Sequence, residues 1–202
     1  MITFYHAPMT RSSRVLALIA AMDLFDWVEV RDVTIPRIDG TGRRDPSNPH
    51  PEGKVPLLVH DGVPIWESAA IMLYLTDMFP ESNLGVPPGH PQRGRYVSWL
   101  SWYAGVMEPT LIHDAAGLSH PFLTATFRGP AEIRERLSAA LAEGRWLVAD
   151  RYTAADLLVS SPYLWFQNLD PGCERIKDRV ARCAAHPARL TAMEMDSKAL
   201  AA

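Results

Sequence analysis

The stretch GKVPLLVHDGVPIWESAAI, residues 53–71, decides the fold. Two short apolar runs, Val55 to Val59 and Val63 to Trp66, flank Asp61-Gly62. That dipeptide suits the two left-handed positions of a tight turn, so the segment reads as a β-hairpin. Pro56 opens the first strand without an amide to give to a ladder. Either it merely initiates the strand, or the Val55–Pro56 bond is cis and turns Val55 toward a ligand. Glu67-Ser68 then closes the second strand and opens a helix, whose apolar face is Ala70, Ile71, Leu73, Tyr74 and Leu75 through Met78. Ser68 can serve as a plain cap. Alternatively its hydroxyl, its amide and the helix N-terminus hold a carboxylate, with Glu67 beside it for an ammonium group.

Upstream of the hairpin, residues 2–5 form a short β-prone run that Pro8 ends. A helical pattern starts near Thr10 and carries Val15, Leu16, Leu18, Ile19 and Met22 at three- and four-residue steps. Trp27 to Val30 is a second strand candidate. Residues 36–53 hold four prolines and three glycines and read as a long loop. In the turn Pro8-Met9-Thr10-Arg11-Ser12-Ser13, three hydroxyls lie where a helix begins. One can cap the helix, while another, with the helix N-terminus, can stabilise an anion such as a thiolate.

Downstream, residues 79–91 contain four prolines and two glycines and read as a linker. Beyond them the pattern is helical throughout: 93–111, 130–147, 153–166, 172–183 and 187–200. Thr153-Ala154-Ala155-Asp156 is a capping box with Asp as its acid. Strands segregated from helices give an α+β domain, 1–79, followed by an all-α domain, 90–202.

Composition sets outer limits. The chain has 202 residues, 48% hydrophobic and 21% charged, with a formal net charge of -3. This balance argues against an extended nucleic-acid surface, which needs excess Lys and Arg. No apolar run approaches the ~20 residues of a membrane span, and no signal-peptide pattern opens the chain. Cys173 and Cys183 lack the spacing of a zinc or dithiol site, so no metal is expected and two free thiols in a reducing compartment are.

The set Tyr5-x-x-Pro8-x-Thr10-Arg11, Gly53-Lys54-Val55-Pro56, Glu67-Ser68-x-Ala70-Ile71-x-x-Tyr74-Leu75 and Tyr152-Thr153-Ala154-Ala155-Asp156 closely resembles the cytosolic glutathione S-transferases, especially bacterial ones. The resemblance implies a thioredoxin-like N-terminal domain, a cis-Pro56, an all-helical C-terminal domain, a cytoplasmic homodimer and glutathione as co-substrate. It further implies that Glu67 and Ser68 hold the γ-glutamyl end of glutathione, that Val55 pairs with the cysteinyl part, and that Lys54 lies near the glycyl carboxylate. Trp99, Tyr103 and Met107 would border the site of a small hydrophobic electrophile, although core packing is their other reading. Matching on Pro8 and Arg11 puts Thr10 at the family's thiol-activating position, with Ser12 as competitor. Tyr5 belongs to the strand and is a poor match. The missing cysteine there argues against thiol-transfer and reductase members. His50-Pro51-Glu52 lengthens the usual loop. The activity implied is conjugation through a hydroxyl-stabilised thiolate. An isomerase or dehalogenase, and a non-catalytic binding or regulatory relative, are the alternatives.

Overall fold

The computed structural model of the chain describes residues 1–166 and 169–201. The elements are β1 (Ile2–His6), α1 (Ser13–Ala21), β2 (Val28–Asp32), β3 (Leu57–His60), β4 (Val63–Trp66), α2 (Ser68–Met78), α3 (Arg93–Trp102), α4 (Glu108–Ala115), α5 (Pro121–Phe127), α6 (Pro130–Ala140), α7 (Ala154–Ser160), α8 (Glu174–Ala184) and α9 (Pro187–Ala201). They form two compact units, Met1–Phe79 together with Ala185–Ala202, and Pro80–Ala184.

In the first unit the sheet order is β2-β1-β3-β4, with β2 parallel to β1 and the other pairs antiparallel. This is the thioredoxin-like arrangement that the resemblance implies. Asp61 and Gly62 both have positive φ, 48° and 84°, so the hairpin turns as its Asp-Gly pair requires. Phe4 on one sheet face is buried, as are Leu16 and Ile19 of α1 and Ile71 and Leu75 of α2. On the other face Tyr5 packs with Val33 and Leu57, which confirms its role as a strand residue.

The expected helical domain of 90–202 needs correction at its end. Helix α9 packs along α1 in the first unit. Ala188, Ala192 and Asp196, four residues apart, are its buried stripe. Two alanines let the helices approach closely, and the acid finds its partners on β1, the turn after it and the first residue of α1. Of the residues expected in that domain, Gln167, Asn168 and Ala202 lie outside the described ones.

The second unit is helical. Tyr103–Met107 makes one π-helical segment that joins α3 to α4. Helix α6 stops at Ala140, short of the expected 147. α7 gives way at Ser161–Leu164 to a 3-10 turn, because Pro162 has no amide for a further α-helical bond. Helix α5 was not anticipated, although Pro121 at its first position and His120, which accepts from Phe122 N, are ordinary start signals. No described helix is long and apolar enough to cross a membrane.

Candidate functional site

Strand register builds the site. Tyr5 pairs with Leu57, and Leu57 pairs with Trp66. The turn after β1, Pro56 before β3 and Glu67 after β4 therefore leave the sheet at one end. Adjacent strands are about 4.8 Å apart, so this whole end spans on the order of 10 Å, a span that suits a tripeptide.

The turn after β1 is tightly held. Met9 takes φ 54°, a left-handed conformation that a non-glycine residue keeps only when its surroundings enforce it. They do: Met9 N donates to Asp196 Oδ2 at 2.9 Å, and Arg37 Nη2 donates to Pro8 O at 2.8 Å. Helix α1 begins at Ser13, so Thr10 sits in the turn and not in the helix. Thr10 is partly exposed. Its Oγ1 donates to Ala7 O at 2.7 Å and lies 2.8 Å from Ser12 Oγ.

Ser12 differs. It occupies the cap position of α1 but makes no side-chain cap bond. Its Oγ turns inward, accepting from Ala7 N at 3.1 Å and meeting His6 Nδ1 at 2.8 Å. With 0% of its surface exposed, it has none to offer a ligand. The two residues thus separate: Thr10 is partly exposed, and Ser12 is buried behind it.

The Val55–Pro56 bond is cis. Among the described residues, no hydrogen bond engages the backbone of Val55. The loop before it is braced from inside: Asn48 Nδ2 donates to Lys54 O at 3.0 Å, and buried His50 accepts at Nδ1 from Glu52 N. Burial pushes the His50 imidazole pKa down, which suits an accepting nitrogen. Lys54 is exposed and its ammonium pairs with Glu52, so Glu52 competes for the charge that a ligand carboxylate would use.

Glu67 is the residue before α2 and takes φ 70°, a second left-handed non-glycine position at this end of the sheet. Ser68 is the first helical residue rather than the cap. Among the described residues nothing is hydrogen-bonded to the Ser68 hydroxyl or the Glu67 carboxylate. The first amides of α2 have no helical partners, which leaves a set of donors at a helix start.

Trp99, Tyr103 and Met107 belong to the second unit and are 5%, 2% and 0% exposed. Trp99 stacks edge-on against Trp102 at 5.2 Å, and the Arg136 guanidinium lies 5.2 Å from the Trp99 ring. In the structure these residues serve packing, the second of the two roles expected for them.

Sequence reasoning missed His6 and Asp196. His6 Nε2 lies 2.8 Å from Asp196 Oδ1, while Asp196 Oδ2 accepts from Met9 N and, at 2.6 Å, from Ser13 Oγ. Burial alone pushes the Asp196 carboxyl pKa up, but the hydrogen bonds from His6, Ser13 and Met9 outweigh it and hold it below the ordinary value. No local signal could have linked residues 190 positions apart.

Known proteins bear on this geometry. The model of the glutathione S-transferase N-terminal domain matches residues 1–77, and that of the C-terminal domain matches residues 124–188. Glutathione S-transferase GstA of Escherichia coli O157:H7 is 30% identical over 149 residues, 68% of this chain and 71% of that protein. A glutathione transferase from Methylococcus capsulatus str. Bath superposes with TM-score 0.79 at 25% identity, over 98% of this chain and 99% of its own. A sphingomonad glutathione S-transferase complexed with glutathione shares the fold with TM-score 0.74 at 22% identity, over 96% and 98%. A sheet end with a cis-proline, an unpaired strand edge and a free helix start, on a chain matched at both domains, has one reading: the chain belongs to the glutathione S-transferase family, for which glutathione is the co-substrate.

Proposed function

We propose that the protein conjugates glutathione to a small hydrophobic electrophile through a thiolate held by the Thr10 hydroxyl. The observation that carries this reading is Thr10 itself, a partly exposed hydroxyl-bearing residue at the sheet end where Pro56 and Glu67-Ser68 also emerge. In this reading Ser68, its amide and the start of α2 bind the γ-glutamyl carboxylate, and Glu67 takes the ammonium group. The open backbone of Val55 pairs with the cysteinyl part as an added strand does. Lys54 reaches the glycyl carboxylate only by releasing Glu52. A hydrogen bond to a charged acceptor contributes about 1.5–3 kcal/mol, which favours thiol ionisation by about 10- to 100-fold.

We further infer a homodimer working in the cytoplasm. Val63 and Trp66 on the sheet's edge strand β4 are large and exposed, and a second copy would cover them.

Calorimetric titration with glutathione tests the site. Binding is expected, and Ser68→Ala is expected to weaken it by about 10- to 100-fold. Unchanged affinity in that variant sinks the assignment. Thr10→Ala should slow conjugation of an aryl halide while leaving glutathione affinity nearly intact.

A further inference from the structure

Behind Thr10 runs an unbroken chain of hydrogen bonds into the protein. Thr10 Oγ1 lies 2.8 Å from Ser12 Oγ, Ser12 Oγ lies 2.8 Å from His6 Nδ1, and His6 Nε2 lies 2.8 Å from Asp196 Oδ1. Only the outer end is exposed: Ser12, His6 and Asp196 are all at most 2% accessible.

The protons along this chain can be assigned by valence. A carboxylate only accepts, so His6 Nε2 must carry the hydrogen that meets Asp196. That leaves Nδ1 of the neutral ring as an acceptor facing Ser12. Ser12 Oγ already accepts from Ala7 N, so its one proton can go to Nδ1 and its second lone pair can receive the proton of Thr10. The one competing partner is Ala7 O, at 2.7 Å from Thr10 Oγ1 and 3.1 Å from Ser12 Oγ. Each hydroxyl has one proton, so the relay runs in the rotamer in which the Thr10 proton leaves Ala7 O and turns to Ser12 Oγ, 2.8 Å away.

The geometry points to a proton relay, in which His6 is the buried acceptor of the proton that glutathione loses on becoming a thiolate. This rests on the reading of Thr10 given above. The S–H bond breaks and its electron pair stays on sulfur. The proton passes to Thr10 Oγ1 as the proton of Thr10 moves to Ser12 Oγ and that of Ser12 moves to His6 Nδ1. The Thr10 hydroxyl then donates to the new thiolate, and the imidazolium charge is compensated by Asp196. The relay and the thiolate-stabilising hydrogen bond are thus the same chain with every proton shifted by one place. Two further charged residues on neighbouring elements are buried Arg14 of α1 and exposed Asp32, the register partner of His6 on β2. Neither is hydrogen-bonded to the imidazole in the contacts that define the relay. Ser12, His6 and Asp196 act through Thr10 and are positioning residues; Thr10 alone touches the sulfur.

The relay makes a prediction about proton counting that a purely structural role for His6 does not. Glutathione binding to the wild-type protein is followed by thiolate absorbance, and by calorimetry in two neutral buffers of different ionisation enthalpy. Thiolate should form while the binding enthalpy stays independent of the buffer, because the proton remains on the protein. Thiolate formation with one proton released to the buffer overturns the relay, and no variant is needed to see it. Ser12→Ala, which removes one buried oxygen, and His6→Gln should lose the thiolate signal at neutral pH. At higher pH the signal should return with proton release to the buffer. Far-UV circular dichroism shows whether each variant is folded. If Thr10→Ala loses the thiolate while Ser12→Ala and His6→Gln keep it with the proton retained, the relay falls and the hydroxyl reading stands. If Thr10→Ala keeps the thiolate, the hydroxyl reading itself falls.

Discussion

Two buried aspartates, one in each unit, hold the molecule together by opposite means. Asp156 opens α7 in the second unit. Its carboxylate accepts from Thr153 N and Thr153 Oγ1 three residues away, from Leu147 N, and pairs with the fully buried Arg179 at 3.5 Å. Asp196 lies near the end of α9 in the first unit, and its partners are His6, Met9 and Ser13. Asp156 is spent on a helix start and a countercharge, which is structural work. Asp196 holds a strained turn in place at the end of a sheet that carries every candidate glutathione contact. Equal burial therefore does not mean equal purpose. What separates the two is where their donors sit: in a helix cap, or in a site.

The largest expected effect falls on the structural acid. Asp156→Ala leaves the Arg179 guanidinium buried without its partner, and breaking a buried pair costs about 3–5 kcal/mol. Denaturant unfolding measures this, and a loss under about 1 kcal/mol would contradict the account. Asp196→Ala strands the buried His6 ring N–H and takes the acceptor from the half-buried Ser13 hydroxyl, at about 1–3 kcal/mol for a polar group left bare. Water reaches the amide of exposed Met9, so the total should be roughly 3 kcal/mol. The comparison sharpens at the site: Asp196→Ala should also abolish the glutathione thiolate, whereas any folded Asp156 variant should keep it. If both variants behave alike in thiolate formation, the functional distinction between the two acids is gone.

This contrast also marks how far the sequence could be read. The box Thr153-Ala154-Ala155-Asp156 is local, and so is the hairpin around Asp61-Gly62; both stand in the structure as their residue types require. The Glu67-Ser68 pair likewise sits at a helix start. What could not be read is anything that depends on a distant partner. Ala188, Ala192 and Asp196 show no continuous apolar stripe, so nothing in α9 announces that it packs on α1. Ser12 and Thr10 are two residues apart and chemically alike. Only the fold tells them apart, burying Ser12 against His6 and leaving Thr10 partly exposed. Trp99, Tyr103 and Met107 share a helix face, but a helix face says nothing about whether a neighbour covers it.

A gentler change probes the same cap. Thr153→Ala removes the hydroxyl that donates to Asp156 Oδ2 at 3.0 Å while leaving the backbone bond at 3.2 Å and the Arg179 pair intact. The expected loss is about 1 kcal/mol, the usual value of a cap residue. A loss as large as that of Asp156→Ala would mean that the hydroxyl, and not the ion pair, anchors α7.

The smallest effect, and the most specific, is one of pH. The folded protein holds the Asp196 carboxyl below its ordinary pKa, because the donors from His6, Ser13 and Met9 outweigh the cost of burial. A group depressed in this way binds its proton more weakly when folded than when unfolded. Its stabilisation is complete above the unfolded value of about 3.9 and is lost as pH falls through the lower folded value. Exposed Glu29 and half-buried Asp45 are also depressed, by their hydrogen bonds from Arg31 and Ser47. They are depressed in wild type and variant alike, so a difference between the two reports Asp196 together with the His6 ring that it holds. The stability gap between wild type and Asp196→Asn should therefore narrow as pH falls below about 4. Denaturant midpoints measured across that range supply the test. A gap that widens on acidification would mean that the carboxyl is protonated more readily in the folded state, and that burial rather than its three donors governs Asp196.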